Sequence, residues 1–326
     1  VPRILVVVVY NAELREFLRS RRARLRPEEI GLAGAAGGAG SRRVPGLRRE
    51  ELAALAGVSV DYYVRLEQGR NLNPSEAVLD AIARALRLDE TERSHLFHLA
   101  RPPAARQRRA PRRPQRVAGA TYQLLETLDE AASPALVVGR RMDVLAMNRT
   151  SRALLGDFIA LPARQRNYAR FLFLDDNARD LHLDWATIAA EAVATLRLDA
   201  GQHPDDTELS ALVGELSVKS TEFRRWWADH RVLIRTAGTK RYHHPVVGDL
   251  TLTYQNLKLS DDPEQTVLVY TAPAGSAAHT ALRLLAHWNT DTARPANPSE
   301  PATASEPVTA GEPRIPGERA RPGEDG

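Results

Sequence analysis

The chain of 326 residues has no cysteine, which removes disulfide bridges, thiol nucleophiles and thiolate metal sites together. Long apolar runs are missing too. The run from Ile4 to Val9 falls well short of the roughly 18 residues of a membrane span. It is also too short for a signal-peptide core and has no small-residue cleavage site after it, so it reads as a terminal extension or an early start site. No Walker or Rossmann glycine loop and no Gly-x-Ser-x-Gly elbow occurs, and an enzyme is therefore not expected. The hydrophobic share of 43% is slightly low, as polar tails diluting ordinary domains would make it. Two domains with connecting tails, in the cytoplasm and without membrane association, are the expectation.

Charge is unevenly placed. The net value is +4, yet residues 1–118 carry 23 Lys and Arg against 13 Asp and Glu, while residues 119–326 carry 22 against 28. A basic field attracts nucleic acid through counterion release, in a manner that salt weakens.

The basic part contains the stretch from Arg48 to Gly69. Leu52, Ala53, Leu55 and Ala56 give a short helix an apolar face, Gly57 ends it in a left-handed turn, and Ser59 caps a second helix in which Val58, Tyr63 and Leu66 point inward. Val60, Asp61, Tyr62 and Arg65 are left outside. Two helices at a tight glycine corner read as a helix-turn-helix. Leu52-Ala53, Ala56-Gly57-Val58-Ser59 and Leu66-Glu67-Gln68-Gly69 resemble the lambda-repressor-like (XRE-type) family of prokaryotic regulators. That resemblance implies a five-helix bundle, with helix one over Asn11–Leu25, helix four over Ser75–Leu86 and helix five over Asp89–Ala100. It also implies that Arg22 pairs with Glu67 to brace the recognition helix, and that Arg70 and the following loop lie along a phosphate backbone.

Helix one places Leu14, Phe17, Leu18 and Leu25 on one stripe, with Arg15, Arg19 and Arg22 off it. The Gly- and Ala-rich insertion from Pro27 to Gly46, ending in Arg42 and Arg43, is expected to be mobile. Residues 101–116 hold seven arginines and four prolines and read as a basic linker.

Beyond Thr121, Leu124, Leu125 and Leu128 mark a helix. Ala135–Val138 and Val144–Met147 form a strand pair around a turn, and Thr150–Leu155 a further helix. This opening resembles a PAS-type sensory domain. Asn167–Phe171, Val213–Ser217, Glu222–Trp227, His244–Gly248 and Tyr270–Pro273 resemble the MmyB-type ligand-binding domain of actinobacterial regulators. Met147 departs from that pattern, which usually has tryptophan there. Two long helices, Trp185–Leu198 and Asp206–Arg231, then strands at Leu250–Tyr254 and Thr266–Tyr270 and a helix over Ala277–Trp288, complete the reading. Asp175-Asp176 and Asp205-Asp206 read as turn or cap residues. The pairs His95/His98 and His243-His244 lack further ligands, so no metal or cofactor is expected.

The fold class is thus α+β. An N-terminal all-α five-helix bundle (11–100) precedes a PAS-like α/β sensory domain with extra helices (119–288). The extension 1–10, the linker 101–118 and a Pro- and Glu-rich tail 289–326, expected to be disordered, surround them. For DNA, phosphate contacts are expected from Arg48, Arg49, Arg70 and Asn71, and base contacts from Val60, Asp61, Tyr62 and Arg65, with Ser59 capping and within reach of phosphate. The MmyB-type resemblance implies a fatty-acid-like or other small lipophilic ligand. Leu145, Met147, Phe171, Trp227 and Tyr254 are its candidate walls, and Asn148, Arg170 and His244 its candidate orienting groups. A homodimer on double-stranded operator DNA follows from one helix-turn-helix covering one half-site. The competing expectation is a protein-interaction adaptor with a vestigial helix-turn-helix.

Overall fold

Side-chain caps decide where the first helices start. The Asn11 side-chain Oδ1 accepts from Leu14 N to open α1 (Ala12–Arg24), Ser59 accepts from Tyr62 N to open α3 (Val60–Glu67), and Ser75 and Asp89 do the same for α4 (Glu76–Ala85) and α5 (Glu90–Ala100). Each cap satisfies an amide that has no partner inside its helix. Helix α2 (Arg49–Ala56) starts differently, with Arg48 N donating to the Glu51 carboxylate at 2.7 Å. The computed structural model describes residues 11–30, 46–70, 73–101 and 114–292, and of 288–292 the backbone alone. The expected extension 1–10, most of the insertion with Arg42 and Arg43, Asn71, residues 102–113 of the linker and the tail from 293 lie outside the described residues.

Helices α1–α5 enclose one core containing Phe17, Leu18, Leu52, Tyr63, Leu66, Leu79 and Ile82. Two expectations change here. Leu55 is 43% exposed. The buried arc of α2 runs through positions 52, 53 and 56, and at about 100° per residue position 55 falls past its edge. Arg22, expected off the apolar stripe, is buried, as is Arg21. The insertion also begins in order, because Pro27–Ile30 form a 3-10 helix with Pro27 buried.

The sensory part follows as α6 (Gly119–Glu130), β1 (Ala135–Val138), β2 (Val144–Met147), α7 (Arg149–Leu155), α8 (Tyr168–Leu174), α9 (Asp176–Leu181), α10 (Trp185–Gln202), α11 (Thr207–Lys219) and α12 (Thr221–Ala228). Then come β3 (Ala237–His244), β4 (Gly248–Lys258), β5 (Thr266–Thr271) and α13 (Ala277–Thr292). The strands form one antiparallel sheet in the order β2-β1-β5-β4-β3, the α/β layer of a PAS-like domain. Leu252, Tyr254 and Tyr270 pack on one face against Leu172, Leu196 and Leu216 of the extra helices. On the other face Val137, Val267 and Val269 meet Leu125 of α6.

The single helix expected over Asp206–Arg231 is two. Ser220 takes extended dihedrals, and its hydroxyl accepts from Phe223 N at 3.1 Å, so one residue ends α11 and caps α12. Strand β3 had no counterpart in the expected elements. It is an edge strand, and alternate residues Lys240, Tyr242 and His244 face inward.

The two parts share packing. Leu198 and Val232, from beyond the linker, join the core of α1–α5. The His95 ring of α5 fills the space where a side chain at Gly201 of α10 would stand, since a Cβ there would lie 2.3 Å from the ring.

Candidate nucleic-acid interface and ligand site

Two glycines fix where α2 and α3 end. Gly57 has φ +66 and caps α2 in the left-handed region, where glycine pays no Cβ penalty. Gly69 has φ +72, and a Cβ on it would lie 2.3 Å from the Asn11 carbonyl, so the end of α3 rests on the start of α1. Asn11 N donates to Gly69 O at 2.9 Å across this contact.

Beneath α3 lies a buried charge cluster. Glu67 is 2% exposed and accepts from Arg22 Nε at 2.7 Å and from the Tyr63 hydroxyl at 3.3 Å, while Arg49 Nε bonds its other oxygen. Arg22 Nη1 continues to Leu47 O at 2.7 Å. Burial alone would lower the Arg22 guanidinium, but its hydrogen bond and charge pairing with Glu67 outweigh this and raise its pKa. The expected Arg22–Glu67 brace is therefore present, with Arg49 and Tyr63 as members the sequence did not suggest. Arg49, expected on phosphate, is partly committed to this cluster.

On the outer face Val60, Asp61, Arg65 and Arg70 are exposed and Tyr62 is half-buried. Arg65 Nη2 and Asp61 Oδ2 pair at 2.6 Å, so two expected base contacts satisfy each other in the unbound protein. Arg48 is also exposed, and Ser59 holds its cap.

The candidate ligand residues converge only in part: Met147, Phe171, Trp227 and Tyr254 share the sensory core, and the others lie apart from it. Asn148 accepts from Ala135 N and Ser151 N and donates to Ser133 O at 2.8 Å, which ties α7 to β1. Arg170 is held by Glu215 at 2.8 Å and by Arg164 O. His244 Nε2 lies 2.9 Å from Ala153 O and Nδ1 accepts from Val246 N, and burial lowers its pKa. These three expected orienting groups are spent on protein partners. Trp227 packs against the sensory core, stacked on Phe223 with 5.6 Å between ring centres and under the Arg197 guanidinium. Leu145 packs on the α6 side of the sheet, whereas Met147, Phe171 and Tyr254 belong to the other face. An open cleft of about 630 Å³ touches Leu145 alone among the candidates, and it runs past Gln115, Arg140, Arg141 and Arg166. Arg141 there is neutralised by Asp143, Asp206 and Glu208.

One polar group inside the sensory core was missed. Lys240 is 7% exposed, and its Nζ lies 4.8, 5.4 and 5.5 Å from the ring centres of Tyr254, Tyr270 and Tyr168. It donates to the Tyr270 hydroxyl at 3.3 Å. Tyr168 Oη approaches His182 Nε2 at 3.3 Å, and burial takes His182 down to about 4. With Nδ1 2.8 Å from Ala178 O, the neutral ring carries its proton on Nδ1 and accepts from Tyr168. Burial pushes the Tyr168 and Tyr242 phenols well up, Tyr270 adding to both. The only signal in the sequence was the alternation Lys240, Tyr242, His244, which reads equally well as a polar edge strand.

Residues 117–285 match the family model of the MmyB-like transcription regulator ligand binding domain, and residues 13–96 match that of a helix-turn-helix domain. The chain belongs to the MmyB-like transcription regulators. No curated protein matches it. The MmyB-like regulator thus couples a DNA-binding helix-turn-helix to a ligand-binding domain. Among the described residues no helix is long and apolar enough to cross a membrane, and no group of three His, Asp or Glu is placed to hold a metal ion.

In this regulator α10 packs in both parts of the chain. Its Ile188, Ala192 and Val193 pack in the sensory core, and near its C-terminal end Arg197 bonds Glu13 of α1 at 2.6 Å. Arg197 also donates to Trp227 O and is 2% exposed. Alongside it, Arg21 pairs with Glu92 at 2.8 Å and donates to His230 O, and Arg24 donates to Asp229 O. Displacing α10 would therefore act on α1 and α5 directly.

Proposed function

We propose that the protein is a cytoplasmic, non-catalytic regulator that reads a specific operator with α3 and whose DNA affinity is set by a small lipophilic ligand in the sensory domain. The observation that carries this reading is the docking geometry. The sensory part engages α1 and α5 through Arg21, Glu13 and His95, while Val60, Asp61 and Arg65 remain exposed. On DNA, Arg65 leaves Asp61 for guanine O6 and N7, Asp61 accepts from cytosine N4, and Val60 meets a thymine methyl. Separating the exposed Asp61–Arg65 pair costs no more than about 1 kcal/mol. Arg48, Arg70 and Asn71 contact phosphate, with Arg49 contributing from the Glu67 cluster. Two copies bind a near-palindrome in the lambda-repressor-like manner, the sensory domains making the dimer. Ligand favours one arrangement of α10 over another and so shifts the DNA-competent population.

Titration of the full chain against its own upstream DNA and a scrambled duplex at two salt concentrations tests this. A preference for the upstream duplex that persists at the higher salt is expected, and equal binding erased by salt would favour an adaptor role. In the same panel Arg65→Ala narrows the difference between duplexes by about 1–3 kcal/mol, whereas Arg70→Ala weakens both alike. The opposite pattern would remove α3 as the reader.

A further inference from the structure

The open cleft of about 630 Å³ lies beside the edge strand β2 and has none of Met147, Phe171, Trp227 and Tyr254 in its wall. Its size suits a small molecule, for which clefts of roughly 300–1,000 Å³ are usual. Four arginines line it, Arg116, Arg140, Arg141 and Arg166, against two carboxylates, Asp143 and Glu208. Arg141 takes up both of these, and Asp206 as well. Arg140 stands 3.4 Å from Glu264. Arg166 is half-buried and donates from Nε to Leu161 O at 2.7 Å, and Arg116 is exposed. Among the described residues no carboxylate forms an ion pair with Arg116 or Arg166. The cleft thus keeps two cations without a counter-charge.

Beside these cations the wall is apolar. Tyr122 of α6 is 48% exposed, and Val117 and Leu145 line the same cleft. Gln115 holds the end of the linker here. Its Oε1 accepts from Arg140 N at 2.9 Å, while its Nε2 is buried and makes no hydrogen bond. Arg141 and Met142 have φ of +58 and +64, two successive left-handed residues without glycine. Such backbone persists only where its surroundings hold it, and it clusters at ligand sites. Arg141 N donates to Asp199 Oδ2 of α10 at 2.9 Å, and Arg141 O accepts from Asn167 Nδ2 at 2.7 Å. One wall of the cleft is therefore the end of the linker, and another is tied to the end of α10.

We infer that this cleft is a second ligand site, which takes a phosphate monoester carried on a flat ring, a nucleoside monophosphate being the simplest form. The inference goes beyond the lipophilic-ligand reading and does not depend on it. A phosphate monoester carries about −1.5 to −2 charges at pH 7, which two unneutralised guanidiniums match and a single carboxylate does not. Guanidinium forks bind phosphate oxygens in pairs, and the ring covers Tyr122 and the aliphatic groups beside it. The apolar part of the wall favours a small molecule over a DNA backbone, whose charged phosphates have nothing to bury against it.

Calorimetric titration of the full chain with AMP, adenosine and inorganic phosphate tests this, with the melting temperature of each variant recorded. AMP binds the wild-type protein more tightly than adenosine or phosphate. Arg116→Met and Arg166→Met each weaken AMP about tenfold, the lower end for a hydrogen bond to a charged group, as suits a cleft open to solvent, and leave adenosine unchanged. Tyr122→Ala weakens AMP and adenosine alike by about fivefold, the loss of one base–aromatic stack, and leaves phosphate unchanged. Arg225→Met, at an exposed arginine that does not line the cleft, alters none of these affinities. The exposed Arg116 guanidinium bonds none of the described residues, so Arg116→Met melts with the wild type, which separates lost binding from lost folding. Equal AMP affinity in wild type, Arg116→Met and Arg166→Met, adenosine binding as tightly as AMP, or no binding of any probe would overturn the inference. Weaker binding of a scrambled duplex by both arginine variants, with no AMP bound by the wild type, would assign the two arginines to DNA instead.

Discussion

Glu67 shows how a single residue can organise the DNA-reading helix. Its carboxylate holds Arg22 from α1, Arg49 from α2 and Tyr63 from its own helix, so three elements meet at one buried charge. Glu67→Ala leaves the buried Arg22 guanidinium without its partner, and breaking such a pair costs about 3–5 kcal/mol. Urea denaturation together with an operator titration checks this; unchanged stability and unchanged DNA affinity would show that the cluster braces nothing. The Arg22–Glu67 pair was legible because family resemblance supplied it, whereas Arg49 and Tyr63 join through the angle between helices, which spacing does not encode. That Asn148, Arg170 and His244 bond the protein itself was illegible in the sequence for a related reason. A polar residue amid apolar ones reads the same whether it faces a cavity or bonds Ser133 O, Glu215 or Ala153 O elsewhere in the chain.

At the scale of elements, α10 is the helix on which both halves depend. Gly201 offers a test in which two effects oppose. In an isolated helix Gly→Ala stabilises by about 1 kcal/mol, but a methyl at 201 would lie 2.3 Å from the His95 ring. Overpacking of this kind costs roughly 1–3 kcal/mol. Gly201→Ala is thus expected to lower the urea midpoint and to speed trypsin cleavage in the linker arginines. A raised midpoint would mean that α10 does not press on α5 in solution. The apolar period marked α10 as a helix, though as one ending at Leu198 rather than Gln202. The break at Ser220 was written in Ser220-Thr221-Glu222, a cap signal that the apolar residues on either side obscured.

Over the whole molecule, the shared interface makes stability depend on pH. His95 is lowered to about 3 by burial and by Arg21, Arg197, His98 and His230 around it, and His230 to about 3 by burial and by Arg197, Arg21 and Arg24. Glu13 lies 4.0 Å from His230 Nδ1, too little to reverse that trend. Both rings stay neutral in the folded protein, while the unfolded chain takes up protons below about pH 6.5. Stability is therefore complete above about pH 6.5 and is lost as pH falls from there toward 3. The slope from His95 reaches at most about 1.4 kcal/mol per pH unit, with a smaller share from the partly solvated His230. His182, lowered to about 4, acts in the same direction within the sensory core. Urea titrations at pH 7.5 and 5.5 should show the loss, and His95→Gln should flatten it. A wild-type stability that does not change across that range would mean that the histidines are solvated and the two halves undocked.

The sequence by itself determined the local elements and the DNA-reading corner. Periodicity, capping residues and the left-handed glycine at 57 act over a few residues, and their physics is contained in that span. Which polar side chains stayed open to a ligand was decided only by the tertiary structure. Burial of Lys240 depends on tyrosines from β4, β5 and α8, and the docking of α10 on α1 and α5 joins residues nearly two hundred positions apart, as Arg197 and Glu13 are. Such pairings are set by how whole elements pack, and a linear pattern holds no record of them.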